Sequence, residues 1–177
     1  MSAMHDWHTR QIDYVLAFPQ APVEREIYMK IPRGFSVTDG QQDDYVLKLH
    51  RNVYGQKQAG RVWFKYLTEI LIKKVGFKQS KTDECVFYRG SVMYVLYTDD
   101  SILASPNLEE VEQAIKDIRE AGLDITDEGD IQDFLGVHIE KKEDGSIHLT
   151  QPHLIDQILD DLKMGKDVNP KTTPAAS

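Results

Sequence analysis

Two short apolar strands joined by a pair of acids constrain the fold of this 177-residue chain more than any other feature. The run Ser91–Leu96 predicts a buried strand, and Ile102–Ala104 predicts a second one. Between them lies the sequence Tyr-Thr-Asp-Asp, so a hairpin must turn beside Asp99 and Asp100. Because Tyr94–Tyr97 is almost continuously apolar, we expect this strand to be central and covered on both faces. Carboxylates beside such a core are costly unless something pairs with their charge.

The acid pair admits two interpretations, a turn and a metal site. Asp is common in hairpin turns because its side chain bonds to nearby backbone amides. A metal is the alternative, since Mg²⁺ takes oxygen ligands from one or two carboxylates plus substrate phosphates. Asp13 favours the metal, because it lies in a strand-like segment, Gln11–Phe18, that breaks at Pro19. If the two strands are neighbours, three carboxylates converge, and two metal ions there could clamp the oxygens of a phosphoryl displacement. Without Asp99 and Asp100, Asp13 would be interpreted as a solvated acid at a strand end.

Six stretches of the chain, in their order and spacing, resemble the reverse transcriptase of copia-type LTR retrotransposons. They are QIDYVLAFPQAP from Gln11, EIYMKIPRGF from Glu26, VLKLHRNVYGQKQAGRVWF from Val46, YVLYTDDSIL from Tyr94, DFLGVHI from Asp133 and LTQPHLIDQIL from Leu149. One such motif would be weak evidence, but six in register are strong.

The resemblance implies a catalytic role for the acids. Asp13 would be the metal-binding Asp of the first polymerase motif, and Asp99 and Asp100 would be the paired acids of the YxDD motif, with Asp99 favoured as the direct ligand. The implied cofactor is Mg²⁺, two ions, or Mn²⁺ in their place.

The resemblance also implies binding residues around the acids. Nucleotide binding would fall to Tyr14, Phe18, Tyr54 and Gly55; the primer terminus would be gripped by Leu135 and Gly136; nucleic acid would contact Lys57, Arg61 and Lys65. A bulky Phe18 under the sugar would exclude a ribose 2′-hydroxyl. Without the resemblance, Phe18 would be read as a core residue following a strand.

The implied activity is that of an RNA-directed DNA polymerase, which transfers a nucleotide from a dNTP to a primer 3′-hydroxyl. Its partners would be an RNA or DNA template with a DNA primer, dNTP and other domains of the Pol polyprotein. One alternative is a truncated, catalytically incompetent remnant of a retroelement with residual metal and nucleic-acid binding. Another is an unrelated ferredoxin-like interaction or small-molecule module, which would leave the six motifs unexplained.

The charge of the chain is unevenly distributed. The formal net charge of −8 argues against a simple nucleic-acid binder. However, residues 48–81 hold nine Lys and Arg against one acid, whereas residues 99–161 hold eighteen acids against four Lys and Arg. The basic segment could lie along a phosphate backbone, or it could be a solvated helix face. Nucleic-acid binding that rests on a few cations should be strongly salt-dependent.

Several features place the chain inside the cell. No apolar run reaches eighteen residues, so no membrane span is expected, and the N-terminus lacks the pattern of a secretory signal. Cys85 is the single cysteine and lies in an apolar strand, so we interpret it as a core residue in a reducing compartment. With the resemblance, the expected location is a cytoplasmic particle or the nucleus, not the secretory pathway.

Periodicity predicts two main helices. The first covers Gln58–Val75 and ends at Gly76. The second begins at Asn107, which with Glu110 forms a capping-box pattern, and Gly122 closes it. A hairpin follows around Asp144-Gly145, and Gln151–Leu162 predicts a last helix.

The predicted fold class is α+β. The resemblance implies a ferredoxin-like polymerase palm, a mostly antiparallel sheet packed on two main helices, with an extra C-terminal hairpin and helix. Residues 6–163 would form the palm with partial fingers and the primer-grip region, and residues 164–177 a tail containing Pro and Thr. The upstream fingers, RNase H, integrase and protease are expected to be absent.

Overall fold

The computed structural model describes residues 7–37 and 40–164, and the chain divides into two units, Met1–Asp130 and Ile131–Ser177. Both units combine helices with antiparallel strands, which confirms the predicted α+β class. Of the predicted tail, residues 165–177 lie outside the described part of the chain.

The strands and helices are numbered in chain order. The strands are β1 His8–Tyr14, β2 Pro22–Lys30, β3 Val46–Arg51, β4 Lys78–Gln79, β5 Val86–Arg89, β6 Val92–Tyr97, β7 Asp100–Ser105, β8 Ile125–Gly129, β9 Asp133–Phe134, β10 Val137–Lys141 and β11 Ile147–Thr150. The α-helices are α1 Ala17–Gln20, α2 Ala59–Ile70, α3 Leu108–Glu120 and α4 Pro152–Asp161.

A six-stranded antiparallel sheet with the order β4-β5-β6-β7-β1-β8 organises the first unit. The strand predicted over Gln11–Phe18 is shorter than expected. It ends at Tyr14 because Leu16 takes a left-handed backbone conformation, with φ 49°, and α1 begins at Ala17. The sheet also gains β8, which the sequence did not predict because only Ile125 of its residues is buried.

The core lies on one face of this sheet. Along β6, Val92, Tyr94 and Leu96 are buried, whereas Met93 and Val95 are only partly buried. The inward residues form one cluster with the apolar faces of α2 and α3. The expectation that β6 is covered on both faces is therefore wrong, because its continuous apolar run includes residues on a second, more open face.

The two main helices begin and end largely where the sequence predicts. A π-helix, Leu71–Val75, continues α2, and Gly76 closes it with φ 85°. The Asn107 side chain caps α3 by accepting from the amide of Glu109 at 3.0 Å. The predicted capping box is not formed, since the Glu110 carboxylate instead accepts from Ser91 Oγ at 2.7 Å.

A separate two-stranded ribbon, β2–β3, completes the first unit. Its connection to α1 is fixed by Asn52, whose Nδ2 donates to the carbonyls of Ala21 and Pro22 at 3.1 and 2.9 Å. None of the described helices has the length and apolar character needed to cross a lipid bilayer.

The second unit contains a three-stranded sheet, β11-β10-β9, and α4. The strand predicted from Phe134 is interrupted by a tight turn at Leu135-Gly136, after which β10 and β11 form the predicted hairpin around Asp144-Gly145. The helix α4 keeps Leu154, Ile155 and Ile158 largely exposed beside an open cavity of about 490 Å³.

Candidate active site

The acids that the sequence singled out lie at the same end of two neighbouring strands. The strands β1 and β7 pair antiparallel, and their register places Asp13 directly opposite Asp100. Directly opposed residues on one face of such a pair have Cβ atoms roughly 4.5–5.5 Å apart. Asp99 lies in the two-residue turn between β6 and β7. The adjacency expected from the sequence is therefore present.

The electrostatics of the three acids reflect mutual repulsion. Partial burial raises the pKa of Asp13, and the charge of Asp99 raises it further. Burial also raises the pKa of Asp100, with further contributions from Asp99 and Asp13. None of the three carboxylates forms an ion pair with another described residue. The site thus carries negative charge that the described protein groups do not neutralise.

The carboxylates do not form a closed ligand set. Among residues 7–37 and 40–164, no group of three or more His, Cys, Asp and Glu side chains is arranged to hold a metal ion by itself. What the structure does provide is an opposed pair, Asp13 and Asp100, with Asp99 adjacent. Mg²⁺ is commonly held by one or two carboxylates, with waters and substrate phosphates completing its coordination. The chemistry of these oxygen donors fits that mode.

The turn that carries Asp99 has a strained backbone. Thr98 has φ 57°, a region that β-branched residues rarely adopt and that costs roughly 1–3 kcal/mol. Two contacts hold the turn: the Tyr14 amide donates to the Asp99 carbonyl at 3.1 Å, and the Trp63 indole donates to the Thr98 carbonyl at 2.6 Å.

Two of the residues expected at a nucleotide pocket lie next to each other. The rings of Phe18 and Tyr54 are 4.6 Å apart between centroids. Burial raises the pKa of Tyr54, and the charges of Asp99 and Asp13 raise it further, which places this ring close to the acids. Gly55 has φ 89° and open space where a Cβ would lie.

Tyr14 differs from the other nucleotide-binding candidates because its side chain lies in the core. It is 1% exposed, and its hydroxyl bonds to that of Tyr94 at 2.8 Å. Strand alternation explains this, since Asp13 and Tyr14 project from opposite faces of β1. In this arrangement the side chain of Tyr14 does not face a ligand at the Asp13 side.

Two of the expected nucleic-acid contacts, Lys57 and Arg61, line a cavity of about 370 Å³, and the third, Lys65, does not. Arg61 and Lys65 both bind Glu24, at 2.8 and 3.1 Å, whereas Lys57 has no ion-pair partner among the described residues. The hydrogen bond from Lys65, followed by the charges of the two cations, lowers the pKa of Glu24. The cavity is lined by Glu24, Arg25, Ile27, Asn52, Lys57, Gln58 and Arg61.

The expected primer-grip residues form a tight hairpin turn in the second unit. Phe134 pairs with Val137, and the two residues between them, Leu135 and Gly136, have φ 52° and 76°. Positive φ at both central positions is typical of a type I′ turn. Leu135 is 47% exposed at its tip.

Two polar groups near the site were not predicted from the sequence. Trp63 was interpreted only as part of an apolar helix face, and Asn52 received no role. Asn52 is fully buried, and its Oδ1 has no hydrogen-bond partner among the described residues. Hydrophobic periodicity predicts that a side chain is buried, but it does not predict which backbone carbonyl accepts its hydrogen bond. The sequence therefore carries no signal for the hydrogen bonds donated by Trp63 and Asn52.

The chain is similar to known proteins along its whole length. The family described as "Reverse transcriptase (RNA-dependent DNA polymerase)" matches residues 1–177. The retrovirus-related Pol polyprotein from transposon TNT 1-94 of Nicotiana tabacum is 28% identical over 99% of this chain and 13% of its own length. The corresponding polyprotein from transposon RE2 of Arabidopsis thaliana is 34% identical over 82% of this chain and 10% of its own. The Ty1-BL Gag-Pol polyprotein of Saccharomyces cerevisiae is 26% identical over 94% of this chain and 10% of its own length. The chain thus spans about a tenth of the length of these polyproteins.

Proposed function

Because the chain belongs to the reverse transcriptase (RNA-dependent DNA polymerase) family, we propose that it is the palm of an RNA-directed DNA polymerase. The proposed reaction is attack of a primer 3′-hydroxyl on the α-phosphorus of a dNTP, with pyrophosphate leaving. The observation that carries the proposal is the register of β1 and β7, which sets Asp13 opposite Asp100 beside the Asp99 turn.

Asp13, Asp99 and Asp100 are the residues that would hold divalent metal, two Mg²⁺ ions or Mn²⁺. Their uncompensated charge supports this assignment, since burial and the charge of Asp99 raise the pKa of both Asp13 and Asp100, and a bound cation would offset that repulsion. Bound metal would supply charge stabilisation for the displaced phosphate oxygens and lower the pKa of the attacking hydroxyl. The protein's own contribution is position: two paired strands and a supported turn hold the acids before substrate binds.

Phe18, whose ring lies against that of Tyr54 at an interplanar angle of 36°, would select the sugar of the incoming nucleotide. Because Tyr54 lies close to the acids, the Phe18 ring beside it would exclude a 2′-hydroxyl by contact. Gly55 would let the backbone approach the nucleotide, because no side chain fills the space beside it.

The nucleic acid would bind through Lys57, with Arg61 and Lys65 as further contacts. Lys57 lines a cavity of about 370 Å³ and has no ion-pair partner among the described residues, so it can bind a phosphate directly. Arg61 and Lys65 both pair with Glu24, so a phosphate would have to compete with that carboxylate for them. Leu135 and Gly136 would grip the primer terminus, a role that fits an exposed tight turn.

The ferredoxin-like palm is supported by the strand order. Within the six-stranded sheet, β8-β1-β7-β6 is the order that a β-α-β-β-α-β unit adopts when its helices are α2 and α3. We propose that residues 6–163 serve as the palm with partial fingers and the primer-grip region. The proposed partners are an RNA or DNA template, a DNA primer, dNTP and other Pol domains, in a cytoplasmic particle or the nucleus.

Primer extension on an RNA template with Mg²⁺ tests this proposal. The 177-residue chain should extend the primer, and Asp99→Asn should reduce extension by at least about 10³-fold because a ligand charge is lost. Asp127→Asn is the matched control, since Asp127 lies exposed on β8 of the same sheet and should leave the rate unchanged. Equal extension by the wild-type chain and Asp99→Asn would overturn the assignment.

A catalytically incompetent retroelement remnant is the second candidate. The observation that favours it is that the three acids do not form a metal-holding group by themselves among the described residues. Under that alternative, the chain would bind Mn²⁺ and primer–template, and no extension would be detected.

A further inference from the structure

Trp63 contacts both halves of the carboxylate site, which is more than a core position requires. Its side chain is 1% exposed on α2. Its indole N–H donates to the Thr98 carbonyl at 2.6 Å, and its ring meets that of Tyr14 edge-on, with centroids 5.1 Å apart. Thr98 precedes Asp99, and Tyr14 follows Asp13. The Trp63 side chain therefore contacts the residue next to Asp13 on β1 and the residue next to Asp99 in the turn.

The turn between β6 and β7 depends on such contacts. Thr98 has a backbone conformation that is unfavourable for a β-branched residue, with φ 57°, and this persists only where the surroundings enforce it. The Trp63 hydrogen bond acts on the carbonyl of that same residue. The next carbonyl, that of Asp99, accepts from the Tyr14 amide at 3.1 Å and ties the turn to β1.

A buried chain of hydroxyls joins the same strands from the core side. The hydroxyl of Tyr94 bonds to that of Tyr14 at 2.8 Å and to Ser101 Oγ at 2.7 Å. Tyr14 and Ser101 adjoin Asp13 and Asp100. Because the strands are already joined in this way, the turn is the part of the site that needs a support of its own.

We propose that Trp63 is a positioning residue, whose indole N–H holds the Thr98-Asp99 turn so that Asp99 and Asp100 are set against Asp13 for metal binding. This inference rests on the proposed function and deepens it by assigning a role to a residue outside the reacting groups. The helix α2 thereby acts on the catalytic centre through one hydrogen bond, in addition to covering the sheet.

Two variants remove the N–H while keeping an aromatic ring. Trp63→Phe is the simple one, and replacement of Trp63 by 3-benzothienylalanine, an isostere with sulfur in place of N–H, preserves the packing against Tyr14. Tyr66→Phe is the matched control, because Tyr66 lies about one turn further along α2 and has no hydrogen bond to the turn among the described residues. Thermal unfolding of each variant measures any general loss of stability.

Amide hydrogen exchange, measured by NMR, reports how firmly the turn is held and does not require enzymatic activity. The Tyr14 amide, which donates to Asp99, should exchange about tenfold faster in both Trp63 variants relative to the Phe77 amide, which donates to the Leu71 carbonyl in the π-helix that follows α2. Tyr66→Phe should leave that ratio unchanged. An unchanged ratio in the benzothienylalanine protein would overturn the proposal.

Mn²⁺ affinity, measured by EPR of the free ion, reports how loss of the Trp63 hydrogen bond affects the carboxylate site. Both Trp63 variants should weaken Mn²⁺ affinity by about 10-fold or more, as loss of a group that orients a metal ligand typically does, and should lower kcat more than they raise KM for dNTP. Loss of Mn²⁺ binding in Asp99→Asn but not in the Trp63 variants would refute the role of Trp63 and leave the proposed function standing. A wild-type chain that neither binds Mn²⁺ nor extends a primer would refute the proposed function, and the exchange ratio would still decide whether Trp63 holds the turn.

Discussion

At the scale of single residues, the site joins negative charge with aromatic shape. Asp13 and Asp100 oppose each other across two strands, and burial followed by the charge of Asp99 raises the pKa of both carboxyl groups. The tilted rings of Phe18 and Tyr54 contact each other, and Tyr54 lies within reach of the charges of Asp99 and Asp13. A cluster of carboxylates favours binding of a cation, and adjacent aromatic rings favour contact with a compact sugar. The two features together suit a nucleotide with bound metal.

Truncation of Phe18 should relax the choice of sugar. In Phe18→Ala the ring that would exclude a 2′-hydroxyl is gone, so incorporation of rNTP relative to dNTP should rise about 10- to 100-fold, the range that one steric contact typically provides. The ratio of kcat/KM for the two substrates measures this.

Phe35→Ala serves as the control for that comparison. Phe35 is 54% exposed and lies outside the β-strands of the first unit, so its removal should not change the ratio. An rNTP-to-dNTP ratio that is the same in Phe18→Ala and the wild-type chain would contradict the role given to Phe18.

At the scale of elements, the helix α2 and its π-helical continuation present Trp63 to the turn and define the end of the core. Two glycines mark this helical segment, one near its start and one at its end, and they have opposite backbone conformations. Gly76 has φ 85°, and Gly60 lies in the first turn of α2 in a helical conformation. A Cβ would meet nothing within 4 Å at either position, so substitution effects there report backbone conformation alone.

The two glycines should therefore respond in opposite directions to alanine. Gly76→Ala should lower the free energy of unfolding by about 1 kcal/mol, because alanine is strained at positive φ. Gly60→Ala should raise it by about 0.5–1 kcal/mol, because alanine loses less backbone entropy in a helix. Urea unfolding of both variants at one pH measures the difference, and changes of the same sign would contradict the helix limits described here.

The sequence predicted those elements whose signals are local. Gly76 ends its helix and Asn107 caps the next one because each acts on backbone groups within a few residues. The pairing of the Asp13 strand with the Asp100 strand was considered as well, because neighbouring strands would bring the three carboxylates together.

The sequence could not predict features that depend on distant neighbours. Glu110 bonds to Ser91 rather than to its own helix cap, and β8 forms by pairing with β1 although its residues are mostly polar. The hydrogen bond from Trp63 to Thr98 likewise depends on how α2 lies against the sheet. In each case a tertiary partner decides the outcome.

At the scale of the whole molecule, an overall acidic chain carries a basic segment in which four of nine cations form ion pairs. The net charge is −8, and within residues 48–81 Lys48, Arg61, Lys65 and Lys73 each bind a glutamate. Exposed ion pairs of this kind contribute little stability, so phosphate can compete for their cations. Lys57 has no ion-pair partner to give up among the described residues.

Nucleic-acid affinity should thus be salt-dependent and should rest on Lys57. Lys57→Gln should weaken binding of a primer–template and reduce the slope of log affinity against log salt by about 1, because one fewer phosphate is neutralised. Lys73→Gln is the control, since Lys73 pairs with Glu69 at 3.3 Å and is not among the residues that line the cavity beside Lys57. Fluorescence anisotropy across a salt series measures both slopes, and equal slopes for Lys57→Gln and the wild-type chain would contradict the proposed path of the nucleic acid.

The central claim is that Asp13, Asp99 and Asp100 act as one divalent-cation site rather than as separate turn and strand-end acids. A Mn²⁺ titration of the 177-residue chain, followed by EPR of the free ion, tests it most directly. The account predicts that Asp13→Asn and Asp99→Asn each abolish binding that the wild-type chain and Asp127→Asn retain. Retention of wild-type Mn²⁺ affinity by Asp13→Asn would contradict the account, because Asp13 would then be a solvated acid with no part in a shared site.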